Sequence, residues 1–167
     1  MSKNKGFSGT SASRYSLALY ELAEENNSIQ EVEQHTLSII KLISDSVDFN
    51  SFIKDPTSKK EEQFKVIIEI SEKYKLNSLL TKFLSFLVSK RRFFYVEKIL
   101  KDFIETCSKK RGEIKAELIA AKKLTEVEIN NIKEELTKNF SSKIKLNYKH
   151  DTSLIGGLIV QVGSTMV

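Results

Sequence analysis

Gly112-Glu113-Ile114-Lys115-Ala116-Glu117-Leu118-Ile119-Ala120 is the stretch at which the hydrophobic period of this chain changes. Ile114, Ala116, Leu118 and Ala120 alternate with Glu113, Lys115 and Glu117, a period of two that predicts a strand with one wet face. Downstream, Thr125-x-x-Glu128 reads as a capping box, and Ile129, Ile132, Leu136 and Phe140 fall on one helical face. Ile144, Leu146 and Tyr148 then alternate with Lys143, Lys145, Asn147 and Lys149, giving a second strand. A third starts near Gly156-Gly157 and runs through Val162. Residues 111–167 therefore predict a small α/β domain in the order strand-helix-strand-strand.

Upstream of Gly112 the repeat is helical. Tyr15, Leu19 and Leu22, widened by Ala18 and Ala23, mark a first helix over about 12–25, closed by Asn26 and Asn27. A second follows Ser28, with a stripe running from Ile29 through Val32, Thr36, Ile39 and Ile43 to Val47 and with His35 on its flank. Phe49, Phe52 and Ile53 form a short apolar patch that Asp55-Pro56 ends; Pro56 is the only proline. Ser58-x-x-Glu61 reads as a capping box for a helix carrying Phe64, Ile67, Ile68 and Tyr74. Asn77 caps a further helix with Leu80, Phe83, Leu84, Leu87 and Val88, and Lys90-Arg91-Arg92 marks its end or a tight corner. The last long helix runs from Phe93 to Cys107. Each helix has one broad apolar face that it cannot bury alone, so the expected solution is an up-and-down bundle. The fold class is α+β: a flexible arm over 1–11, a helical bundle over 12–110 and the α/β domain over 111–167. Residues 152–167 carry no charge and end just after an apolar strand, which raises the expectation that the chain continues.

Composition narrows the chemistry. The 167 residues include 27 basic and 22 acidic side chains, a net +5 with both signs mixed along the chain. A nucleic-acid binder needs a clustered basic stripe. Lys90-Arg91-Arg92 and Lys109-Lys110-Arg111 are short clusters that also suit helix ends, where cations meet the negative end of the dipole. Cys107 is the only cysteine, which leaves no intramolecular disulfide and fits a reducing compartment. Met1–Gly9 has no apolar segment of signal-peptide type, and no apolar run is long enough to span a bilayer.

Candidate reactive residues are sparse. His35 has no ligand partner at metal spacing, and Cys107 lies on an apolar stripe. His150 adjoins Asp151, with Ser153 nearby, but no strained nucleophile turn surrounds that serine. Gly156-Gly157 has neither the Walker nor the dinucleotide-binding spacing and reads as a tight bend with close backbone approach at a strand start. Adjacent glutamates such as Glu61 and Glu62 point about 100° apart on a helix and make a solvated face. No catalytic residue, cofactor or metal follows from the sequence. What remains is an adaptor made of grooves and apolar strips, with a basic nucleic-acid-binding helical module, or a general protein-interaction module, as the alternative.

Two stretches carry a family resemblance. Ala12-Ser13-Arg14-Tyr15-Ser16-Leu17-Ala18-Leu19-Tyr20-Glu21-Leu22-Ala23 is similar to the opening helix of the delta subunit of F-type ATP synthase, the family of the mitochondrial oligomycin-sensitivity-conferring protein. Asp151-x-x-Leu154-Ile155-Gly156-Gly157-Leu158-Ile159-Val160-Gln161-Val162-Gly163 resembles that family's C-terminal signature. Arg92 matches the arginine of its basic corner, while Lys90 replaces the usual asparagine. The resemblance implies a six-helix N-terminal bundle gripping the alpha subunits of the catalytic head, and a C-terminal domain meeting the b subunits of the peripheral stalk. Carried over, Arg14, Tyr15, Ala18, Leu19 and Arg92 would shape or flank the head contact. Asp151, Gly156, Gly157 and Gly163 would form the C-terminal signature near the stalk contact. The implied role is a non-catalytic stator of proton-driven ATP synthesis, peripheral on the cytoplasmic face of a bacterial inner membrane. Family members continue past the last matching strand, which repeats the expectation of further chain.

Overall fold

The computed structural model describes residues 11–163 and the backbone of residues 165–166. The arm expected over residues 1–11 falls almost wholly outside the described residues. Contacts divide the chain into two compact units, residues 1–107 and 108–167.

The first unit is helical: α1 (Ala12–Glu25), α2 (Ile29–Asp45), α3 (Val47–Lys54), α4 (Lys60–Tyr74), α5 (Ser78–Ser89) and α6 (Val96–Lys110), the last of which runs on into the second unit. The residue pattern outlines five helices, and the sixth implied by the resemblance is α3. Ser46 is extended, and its side chain accepts a hydrogen bond from the Phe49 amide at 3.2 Å, so the backbone breaks and restarts there. Val47 accordingly leaves the α2 stripe and lies 78% exposed at the start of α3. The capping box expected at Ser58 and Glu61 is also displaced. Asp55 accepts from the Thr57 amide and hydroxyl at 2.8 and 2.6 Å, and this turn carries the chain on to Lys59. There Glu62, not Glu61, accepts from the Lys59 amide at 3.3 Å. Phe93–Tyr95 forms a 3-10 turn ahead of α6, so the last long helix begins at Val96.

Three of the helix ends share one device. At Asn27, Lys75 and Arg91 the backbone is left-handed, with φ of 51, 50 and 56°. The following amides close back on the helix: Ser28 on Ala23 at 2.9 Å, Leu76 on Ser71 at 2.9 Å and Arg92 on Leu87 at 2.8 Å. These reversals fold the helices onto one core in which Leu19, Val32, Leu80, Leu87, Ile99, Leu100 and Phe103 are wholly buried. Cys107 belongs to that core.

The second unit is a sheet with one helix: β1 (Ile114–Ala120), α7 (Glu126–Phe140), β2 (Ile144–His150), β3 (Leu158–Val162) and the two-residue β4 (Thr165–Met166), in sheet order β2-β1-β3-β4. β1 pairs in parallel with β2, Ile114 opposite Ile144, and antiparallel with β3, Leu118 opposite Val160. The parallel pair requires a crossover, which α7 supplies. Its predicted capping box is present: the Thr125 hydroxyl accepts from the Glu128 amide at 3.3 Å and the Glu128 carboxylate from the Thr125 amide at 2.9 Å. Leu136 of α7 packs with Ala116, Leu118, Ile144, Val160 and Val162, supported by Ile132 and Phe140.

Candidate interaction surfaces

In α1 the buried residues are Ala12, Ser16, Leu19, Tyr20 and Ala23. Tyr15, Ala18 and Leu22 repeat at i, i+3 and i+7 and so share the neighbouring face. Tyr15 is half-buried, Ala18 is exposed and Leu22 is 42% exposed. That face meets α5, because the Tyr15 ring lies 6.2 Å from the Phe86 ring at a tilt of 56°. Phe86 is itself 45% exposed, and Lys90 Nζ stands 5.7 Å from its ring centre. The result is a strip of small and aromatic side chains between two helices, with a cation at one end.

Among the candidates from the sequence, Tyr15 and Ala18 lie on this strip, Leu19 is wholly buried beneath it, and Arg14 is exposed outside the buried face. Arg92 follows the α5 reversal and lines a separate recess with Pro56, Lys60, Phe93 and Phe94. Lys60 Nζ donates to the Ser89 carbonyl at 2.9 Å and so ties the start of α4 to the end of α5. Sequence reasoning missed Phe86 and passed over Leu22 as ordinary stripe. The available signal was that Phe86 falls off the buried stripe of α5, where a large aromatic has no core to fill.

The C-terminal signature builds turns. Asp151 Oδ1 accepts from the Ser153 hydroxyl at 2.6 Å and the Ser153 amide at 2.9 Å, and these bonds hold the Asp151 carboxyl below its usual range. His150 Nε2 is bonded to the Ala121 carbonyl at 3.1 Å. His150 is thus bonded to the β1 end of the chain while Asp151 and Ser153 bond to each other, and the three do not form a relay. Gly157 and Gly163 have φ of +76 and +60°, which favours glycine at both. A Cβ at Gly156 or Gly157 would meet open space, so neither answers the close approach expected from the sequence, and only Gly157 is favoured by backbone conformation. Tyr148 Oη accepts from the Leu124 amide at 3.0 Å and bonds to the Lys122 carbonyl at 3.3 Å, pinning the β1–α7 loop.

Among the described residues no three His, Cys, Asp or Glu side chains come together as a metal site, and no helix is long and apolar enough to cross a membrane. His35 has a local role: its Nδ1 accepts from the Asn77 amide at 2.9 Å, and Asn77 Nδ2 donates to Glu31 at 2.7 Å. Together these bonds join α2 to the start of α5.

The pattern of the family described as ATP synthase delta (OSCP) subunit matches residues 12–167. An ATP synthase subunit delta from Pelagibacter ubique (strain HTCC1062) is 77% identical over 167 residues, covering 100% of this chain and 90% of that protein. One from Roseobacter denitrificans is 32% identical over the same span and the same shares. A chain in the cryo-EM structure of the Toxoplasma gondii mitochondrial ATP synthase hexamer shares the fold, with a TM-score of 0.77 at 19% identity over 90% of this chain and 84% of that one.

Proposed function

The chain belongs to the ATP synthase delta (OSCP) subunit family, and from that premise we propose how its two units share the work of a stator. The protein is a non-catalytic coupling subunit linking the head of the synthase to its peripheral stalk. Such a link holds the head against the torque of the rotor, so that rotation drives ATP synthesis instead of turning the whole head. It needs firm attachment at both ends and no chemistry of its own.

The helical unit is the head-binding end, and the observation that carries this reading is the strip formed by Tyr15, Ala18, Leu22 and Phe86. A small residue flanked by aromatic and aliphatic ones lets an amphipathic helix approach closely and seat apolar residues one turn apart. N-terminal helices of the alpha subunits are the proposed occupants. Arg14 would flank the docked helix, and Arg92 would support the corner below α5. The C-terminal unit is the stalk-binding end, where Asp151, Gly156, Gly157 and Gly163 maintain the turns around β3. Its partners are the b subunits. The protein would sit peripherally at the cytoplasmic face of a bacterial inner membrane, held there by its partners.

The test uses the full chain carrying Leu22→Asp and Phe86→Asp. Both side chains are already partly in water, so the fold should survive. Binding to isolated head should weaken by at least about a hundredfold, the scale of losing two interface anchors, while binding to the stalk subunits persists. Unchanged head affinity would refute the assignment of the strip.

A further inference from the structure

Asn77 stands at the start of α5 and holds three bonds. Its backbone N–H donates to His35 Nδ1 at 2.9 Å, its side-chain Nδ2 donates to Glu31 at 2.7 Å, and its Oδ1 accepts from the Leu79 amide at 2.9 Å. The last of these caps α5. The second aims the cap, because an amide whose nitrogen is fixed on Glu31 has its oxygen turned towards the helix. The first carries a condition. A backbone N–H can only donate, so Nδ1 must present its lone pair and the ring proton must lie on Nε2. The bond therefore exists only with a neutral imidazole. Protonation puts an N–H on both ring nitrogens and sets donor against donor. It also places a positive charge against the positive end of the α5 dipole.

The charges around this joint supply a partner for the imidazolium. Glu31 precedes His35 by four residues on α2, the spacing and order that favour an acid–base pair on a helix. Glu24 of α1 stands beside Glu31 and Gln34 in one recess. The other titratable groups of the packed elements offer no acceptor for a cation. They are Lys75, two residues ahead of Asn77 in the loop from α4; the exposed Lys82, the first charge on α5; and the buried phenol Tyr20 of α1. We infer that His35 is an acid-operated latch on the start of α5. Neutral, it accepts the Asn77 amide. Protonated, it takes Glu31 from Asn77, and the α5 cap loses both the bond that anchors it and the bond that aims it. Phe86 lies on α5, so the released helix presents the strip less firmly and the grip on the head weakens in acid; this consequence rests on the head-binding reading above.

The experiment follows the full chain from about pH 8 to about pH 5, the range in which histidine side chains in general change charge. Nitrogen-15 NMR should show the His35 ring protonated on Nε2 alone at the alkaline end. As the ring gains its second proton, the protection factors of the Asn77 and Leu79 amides against hydrogen exchange should fall at least about tenfold, the scale of one lost bond. Affinity for purified head should fall about threefold to tenfold over the same titration. His35→Gln keeps an acceptor oxygen at every pH and should flatten both responses. Glu31→Gln removes the charge that receives the imidazolium and should move both midpoints to lower pH. A ring proton on Nδ1 at the alkaline end, a ring that stays neutral throughout, or amide protection that holds constant while the ring titrates would each overturn the latch and leave head binding standing. So would a head affinity that falls with acid as much in His35→Gln as in the unmodified chain. If the unmodified chain fails to bind the head even at the alkaline end, the head-binding reading falls, and exchange on the free chain still decides the latch. The ring and exchange measurements need no substitution, so a misfolded variant does not spare the inference.

Discussion

Eleven of the twelve largest fully buried side chains lie in the helical unit, from Leu19 to Phe103, and Leu118 alone represents the sheet unit. The helices close around one core and leave, among their exposed apolar residues, a strip of small and aromatic side chains. The sheet unit covers one face with a single helix and leaves the other open. The difference teaches how each end of a tether can be built. The bundle has the larger core, so the strip proposed for head contact rests on a framework that needs no partner to form. The sheet unit has a smaller core, so a bound partner would add proportionally more to its stability.

The largest effects should come from the two cores. Phe103→Ala should cost the bundle about 3–5 kcal/mol, and Leu118→Ala should cost the sheet unit about 2–5 kcal/mol. Unit-resolved hydrogen exchange reads each loss where it occurs. If Phe103→Ala deprotects β1 amides as strongly as those of α6, the contrast between self-sufficient units breaks down.

His35→Ala probes whether the bundle also relies on polar ties. It strips the Asn77 amide of its acceptor in a half-buried position and should cost about 1–3 kcal/mol. Chemical denaturation should show the loss. An unchanged midpoint would mean that packing alone positions the start of α5.

A pair of backbone substitutions should act in opposite directions. Gly157→Ala forces a Cβ into a left-handed backbone and should destabilise the sheet unit by about 1 kcal/mol. Arg91→Gly relieves the same constraint at the end of α5 and should stabilise the bundle by up to about 1 kcal/mol. Thermal melts of the two variants moving the same way would contradict the account of the turns.

The smallest effect concerns acid. The Arg111 guanidinium, 3.1 Å from Glu113, holds that carboxyl below its ordinary value of 4.5 against the opposing effect of partial burial. Because the folded value is depressed, the stabilisation is fully present above 4.5 and is lost as pH falls through the lower folded value. Glu113→Gln should flatten the acid limb of the sheet unit's stability profile without touching that of the bundle. Melting of Glu113→Gln beside the unaltered chain between pH 5 and about 3 would show it.

Much of the fold is legible in residue order. The change of period at Gly112 separates helical from strand-bearing chain, and Thr125 with Glu128 caps the helix where the pattern places it. The failures are local. Two turns of α3 are too short to display a repeat, and one extra residue after Pro56 shifts a cap from Ser58 to Lys59. The candidate surfaces were less legible. Tyr15 and Ala18 could be singled out by resemblance, but Phe86 becomes meaningful only when α5 is laid beside α1. In the same way, Lys115 and Lys145 are ordinary wet-face residues until register sets them opposite each other.

By itself the sequence determined the class of each segment and the family, because periodicity and motif spacing are properties of neighbours along the chain. Only the tertiary structure decided which apolar residues stay in water and which like charges stand side by side. Exposure and pairing depend on residues brought together from far apart, as with Tyr15 and Phe86 or Lys115 and Lys145.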